Sequence, residues 1–195
     1  GNFYSRTDSD SRYVNHDSGT LGTDNFIAGN NAGDSIVSGG NYNTLIGNEA
    51  GTAINTGDNN TVVGYQAGDA ITTGGGNVAI GSGALSSGDT DSNSVAVGYN
   101  ALASLNVGGN SNVAVGYNAL TNNVSGGNNT AIGTNALTSL DTSGGASDRN
   151  NTAVGNSAGQ SVTSGYANTL VGGNCGDALT TGFNNVAIGK DALSA

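Results

Sequence analysis

A glycine returns about every seventeen residues, and this recurrence limits what the chain can fold into more than any other feature. The glycines are Gly29, Gly47, Gly64, Gly81, Gly98, Gly116, Gly133, Gly155, Gly172 and Gly189, spaced 18, 17, 17, 17, 18, 17, 22, 17 and 17 residues apart. Each follows a short apolar run, as in "NNTAIGTNAL" from Asn128 to Leu137 and "NNTAVGNSAG" from Asn150 to Gly159. A fixed period of this length marks a repeat architecture, in which a copy buries its apolar face only against its neighbours. The copies cover residues 25–195 as one repeat domain. Residues 1–24 stand outside it and read as an arm that docks on a neighbouring subunit or as a leader.

Within a copy the pattern is Asn, any residue, two aliphatics, Gly, two further residues, Ala, and then Gly or Leu. The Asn slot holds Asn25, Asn43, Asn60, Asn77, Asn112, Asn129, Asn151, Asn168 and Asn185, with Ser94 in the remaining copy. The Ala slot is broken once, by Cys175. A run such as Thr130-Ala131-Ile132 is too short for a helix, and β-branched residues between Gly and Asn favour a strand. Alternation puts Thr130 and Ile132 on one face and Ala131 on the other. The β-branched slot before the glycine is the expected core filler, as at Ile132. A second aliphatic (Ile71, Leu140, Val162 or Leu179) predicts a second short strand per copy, and Gly and Asn supply turns. The fold class expected is therefore all-β, a parallel β-solenoid of about ten 17-residue coils. Stacking aligns the Asn slots, whose amides are expected to bond in a ladder along the axis.

The differences between copies carry a second signal. Ala two residues before the glycine goes with Leu four residues after it: Ala79 with Leu85, Ala96 with Leu102, Ala114 with Leu120, Ala131 with Leu137, Ala187 with Leu193. A large residue in the first slot goes with Gly in the second: Ile27 with Gly33, Leu45 with Gly51, Val62 with Gly68, Leu170 with Gly176. Close packing at fixed volume requires such a trade if the two slots share one space. Ala153 with Gly159 breaks the rule and predicts an underfilled coil.

Composition excludes several functions. The net charge is -10 with only 4 Lys and Arg, which argues against nucleic acid, whose partners carry a basic footprint. No apolar run approaches the ~20 residues of a membrane span. One cysteine and one histidine, Cys175 and His16, cannot build a disulfide framework or a His- or Cys-rich metal site. Asp89 and Asp91 share the loop "SGDTDSN" and read as solvated acids rather than a glycosidase pair or a calcium site. Cys175 reads as a small buried residue in an alanine slot. "ITTGGGNVAIG" lacks the Lys and helix of a phosphate loop. No catalytic, cofactor-binding or metal-binding residue is assigned, and the chain reads as no enzyme. A polysaccharide-degrading β-helix is the minor alternative, and a Thr-lined ice-binding face is interrupted by Val78, Val95, Val113 and Val186.

Surface contact is expected elsewhere. Tyr65, Tyr99 and Tyr117 share the slot after the glycine and form either a structural stack or a strip that grips sugars. Asp148 and Arg149 lie in the 22-residue copy, where extra residues make a natural contact loop. Sequons for N-glycosylation occur at Asn59, Asn123, Asn128 and Asn150.

The phrases "NTAIGTNAL" and "NSVAVGYNAL" resemble the head repeats of trimeric autotransporter adhesins, and are similar to the N-T-A-x-G-x-x-A-L repeats of bacteriophage tail-fibre-like proteins. The resemblance covers residues 25–195 and implies a left-handed β-roll assembled as a homotrimer. The function expected is a structural or adhesive module of an extracellular fibre or spike, at a cell surface or on a virion, binding copies of itself and a cell-surface glycan or receptor. The alternative expectation is a protomer of an end-to-end homopolymer, with residues 1–24 as connector.

Overall fold

The computed structural model describes residues 22–106, 108–141 and 149–194. Ten three-residue strands follow in order: β1 (Phe26–Ala28), β2 (Thr44–Ile46), β3 (Thr61–Val63), β4 (Val78–Ile80), β5 (Val95–Val97), β6 (Val113–Val115), β7 (Thr130–Ile132), β8 (Thr152–Val154), β9 (Thr169–Val171) and β10 (Val186–Ile188). They form one parallel sheet in chain order. Equivalent residues pair throughout, Thr130 with Thr152 and Ile132 with Val154 for example. With no helix among the described residues to carry the crossovers, this topology is a solenoid, in which each strand completes one circuit before lying beside its predecessor. At ~4.8 Å per strand the sheet is a strip about 45 Å long.

The parity of the strand is the reverse of the expected one. The middle residue points inward in every strand: Ile27, Leu45, Val62, Ala79, Ala96, Ala114, Ala131, Ala153, Leu170 and Ala187 are all buried. Ile132 does not fill the core but faces out, 40% exposed. The ladder asparagine decides this. Asn129 is buried, and two residues along a strand share a face, so Ala131 follows it inward while Thr130 and Ile132 turn out.

Nor does a second strand per coil form among the described residues. The second aliphatic sits in a turn, its N–H bonding back three residues: Ile71 to the Gly68 carbonyl at 3.2 Å, Leu140 to Leu137 at 3.1 Å, Val162 to Gly159 at 3.0 Å. The cause is the backbone just upstream. The residues two and four after the glycine both take left-handed φ, as in Asn135 (57°) and Leu137 (50°), and no extended segment accommodates that pair. These aliphatics still face inward; Ile71, Leu140 and Val162 are fully buried and Leu179 packs against the same core. Inter-coil hydrogen bonds continue through the turns, for example Leu137 N–H to the Ala158 carbonyl at 3.0 Å.

The recurrent glycine is needed twice over. Gly64 has φ of +139°, and a Cβ there would stand 2.7 Å from the carbonyl oxygen of Gly81 in the next coil. Glycine therefore permits both the bend and the close stacking of coils.

The two-slot trade is visible in the core. A Cβ on Gly176 would lie 2.9 Å from Leu170 Cδ1, one on Gly51 3.0 Å from Leu45 Cδ2, and one on Gly33 3.1 Å from Ile27 Cδ1. Each Gly leaves room for the large partner of its own coil. The exceptional coil is not underfilled. A Cβ on Gly159 would meet Leu170 Cδ1 at 2.8 Å and Leu137 Cδ2 at 2.9 Å, so leucines from the coils on either side occupy the space.

Candidate functional site

Three sets of side chains line up along the solenoid, two of them for its whole length. The first is the asparagine column inside it. Each Asn Oδ1 accepts the backbone N–H of the next Asn: Asn25 from Asn43 at 2.7 Å, Asn43 from Asn60 at 2.9 Å, Asn112 from Asn129 at 2.9 Å, Asn168 from Asn185 at 3.0 Å. In most coils the Nδ2 then donates to a turn carbonyl of the next coil: Asn43 to Gly57 at 2.9 Å, Asn60 to Gly74 at 3.0 Å, Asn151 to Gly165 at 2.9 Å, Asn168 to Gly182 at 2.8 Å, whereas Asn129 turns back to Gly127 at 3.2 Å. Amide-to-amide bonds exist as well, such as Asn60 Nδ2 to Asn43 Oδ1 at 3.1 Å. The column is thus mainly a bridge from side chain to backbone, which satisfies buried turn groups that the one strand per coil leaves free.

Ser94 interrupts the column and is accommodated locally. Its N–H bonds Asn77 Oδ1 at 3.0 Å, and its Oγ accepts the Asn112 N–H at 3.2 Å. Serine has no amide to reach the turn carbonyl of Gly109, and Asn112 Nδ2 from the same coil bonds it instead. Three residues before Ser94 stands Asp91, at a place where neighbouring coils have Gly74 and Gly109. Asp91 is not the solvated loop acid expected from the sequence. It is 1% exposed, its Oδ1 accepts the Gly109 N–H at 2.9 Å, and its Oδ2 has no partner among the described residues. Burial holds this carboxyl above the usual carboxylate range against the lowering pull of the Gly109 and Gly108 N–H groups. The coil has exchanged an amide at one position for a carboxylate three residues away. Asp89 remains exposed and accepts from Thr72 Oγ1.

The second column is aromatic and stands outside. Tyr65, Tyr99 and Tyr117 are all about half exposed. Tyr99 and Tyr117 stack with ring centroids 5.4 Å apart and planes 11° from parallel. One π face of each ring meets the other, so the outer faces, the edges and the hydroxyls are what they offer a ligand. Tyr65 stands apart, with Ser82 in the intervening coil. A second stack escaped the sequence reading: Tyr166 and Phe183 lie 4.9 Å apart with planes 1° from parallel. The signal was present, since each precedes a ladder asparagine by two residues. Arg149 occupies the same place one coil earlier and is half-buried, its backbone N–H on the Gly127 carbonyl at 3.0 Å. Asp148 and His16 lie outside the described residues, as does nearly all of the 1–24 segment.

The third column is the outward face of the sheet. It carries Thr or Val at the first strand position and Ile or Val at the third in every strand but β1, which has Phe26 and Ala28. No charged residue lies on it.

Groups able to do chemistry are dispersed. Among the described residues no three of His, Cys, Asp or Glu converge on a point that could hold a metal. Cys175 is buried, its Sγ donating to the Ala187 carbonyl at 3.1 Å, and burial pushes the thiol above its ordinary value. Ser104, Asn122, Val124, Ser139, Asp141 and Thr163 line a shallow, open depression rather than a cleft. Of the four sequons, Asn59, Asn128 and Asn150 are exposed, whereas Asn123 is buried with its amide on Gly126. Compared with protein-family models, curated proteins and solved structures, the chain matches none.

Proposed function

We propose that the chain is a non-enzymatic structural module of an extracellular fibre or spike, one that associates with copies of itself and attaches to a surface. The observation that supports this is the axial bonding. Strand bonds, many of the turn bonds and the asparagine column run from coil to coil, so an axial load is carried by many parallel bonds at every level. The buried side chains serve the stack, and the aromatic edges of Tyr65, Tyr99 and Tyr117 are exposed where a cell-surface glycan or protein could dock. The likeness of its repeats to adhesin-head and tail-fibre repeats points the same way.

Electron microscopy of the assembled native particle tests the reading. Rods or fibres in which this chain forms the shaft are the expected result. Particles in which it is only a dispersed 18.9 kDa monomer would overturn it. Filaments that fall into single rods when residues 1–24 are deleted would make the chain an end-to-end protomer with that segment as connector.

A further inference from the structure

We infer that the outward face of the sheet is the surface through which two copies of the chain pair, with their axes antiparallel. The inference rests on the self-associating reading above and names the surface and the geometry that it uses.

Charge is the first reason to choose this face. The chain carries a net charge of -10, yet none of the outward strand positions is charged. The columns on either side, before the asparagines and after the glycines, hold charge only at Asp24 in the first coil and Lys190 in the last. Two strongly acidic molecules can meet here without bringing like charges together.

Area is the second. A strip three residues wide and ten strands long covers about 480 Å², and about 800 Å² with a column added on each side. A stable pair buries roughly 800 Å² per partner. Ile46, Ile80 and Ile132 are each close to 40% exposed along this strip, and their stiff β-branched neighbours lose little entropy on burial. The aromatic columns at its margins suit an interface rim.

Commensurability selects a second copy over any other partner. Both faces share one rank spacing, so a fit made at one coil repeats at all of them. The order of residues selects the orientation. A two-fold axis parallel to the strands, passing between β5 and β6, lays each first strand position on a first position of the second copy. It brings Thr44 onto Thr169, Thr61 onto Thr152 and Val95 onto Val113, with Val78 onto Thr130 and, at the ends, Phe26 onto Val186 as the two mismatches. At the third position it brings Val63 onto Val154, Ile80 onto Ile132 and Val97 onto Val115, with Ile46 onto Val171 and Ala28 onto Ile188 as the mismatches. From β2 to β9 the face is nearly palindromic along the axis, which is what an isologous contact requires. A two-fold axis along the rod would instead set every Thr hydroxyl against an Ile or Val methyl group and leave it without a partner.

The test uses the full chain with Cys175→Ala, alanine being the usual residue of that slot. A chain carrying both Thr61→Cys and Thr152→Cys is expected to form a covalent dimer with a bifunctional thiol reagent of about 10 Å reach, the spacing of sheets packed face to face, while Thr61→Cys alone stays uncrosslinked. Sedimentation should give twice the monomer mass for the parent chain and the monomer mass for Val95→Lys with Val113→Lys. Thr130→Lys, at a position already partly solvated, should also give monomer, and unchanged circular dichroism shows that it folds. A parent chain that sediments as monomer or trimer overturns the inference, as does efficient cross-linking of Thr61→Cys alone. Fibres built from a chain that never pairs laterally would overturn this inference and leave the fibre reading standing.

Discussion

Leu170 occupies the space that Gly159 leaves empty in the coil before it. A Cβ on Gly159 would stand 2.8 Å from Leu170 Cδ1, and Leu137 closes in from the other side at 2.9 Å. The backbone conformation at this slot is not what excludes a side chain, since Leu137 adopts a similar φ of 50° in its own coil. Packing excludes it. Gly159→Ala is expected to cost about 1–3 kcal/mol through overpacking and the left-handed backbone. Combined with Leu170→Ala, it should cost clearly less than the sum of the two single changes. Denaturant unfolding of the four proteins measures the coupling, and strict additivity would refute the shared space.

The asparagine column makes a graded prediction. Asn129→Ala strips the Asn151 N–H of its acceptor at 3.1 Å and deletes a buried donor. The cost expected is about 1–3 kcal/mol for each backbone group left unpaired. Asn129→Ser should cost less, because Ser94 shows that a hydroxyl can take the neighbouring N–H. Hydrogen exchange should report the loss first in the coils next to the substitution, since each coil bonds only its neighbours. Equal stability of the alanine variant and the parent would remove the column from the account of the fold.

Asp91 predicts a pH dependence of defined sign. Burial raises its folded-state pKa above the ordinary 3.8. The folded chain therefore holds this proton more tightly than the unfolded chain. The contribution to stability is complete below the unfolded pKa and is lost as pH rises through the folded value. Asp91→Asn keeps an acceptor for the Gly109 N–H and has no charge to bury. Its advantage over the parent should be small near about pH 3 and grow toward about pH 7. Melting temperatures at the two pH values provide the check; a constant difference would mean that Asp91 does not titrate across the transition.

Where a coil tolerates added length is also testable. Four Gly and Ser residues inserted after Thr73, an exposed turn position, should leave the solenoid folded at a cost of only a few tenths of a kcal/mol to about 1 kcal/mol. One residue inserted after Ala79 should be far worse, because a single-residue slip in a strand exchanges inward and outward faces. Far-ultraviolet circular dichroism and thermal melts of the two variants decide the matter. Comparable damage from both would show that the turn is not an independent joint.

The sequence revealed period, class and packing trade because these depend on like residues standing one above another. Parity was misread at Ile132 because β-branched residues look like core. The deciding clue lay in Asn129, two residues before Ala131: a buried amide and a residue two along the strand share a side. The second strand was misread at Leu140 because an apolar residue implies burial without specifying extended backbone, and a leucine at left-handed φ, as at Leu137, has no compositional signature. Burial of Asp91 was hidden because its loop is rich in polar residues; only alignment of the coils places it where neighbouring coils have the buried Gly74 and Gly109.

One regularity in the bonding has a consequence for how such a molecule changes over time. From each ladder asparagine to the turn carbonyl it serves in the following circuit, the count is 14 residues at Asn43, Asn60, Asn77, Asn112, Asn151 and Asn168. At Asn25 it is 15, and the extra residue falls between Ile36 and Gly40. The 22-residue circuit gains its length in the same arc, between Leu140 and Asn151. Additions and deletions thus gather along one edge of the rod. That edge can acquire new surface by small genetic steps, one storey at a time, while the rest of the building keeps its plan.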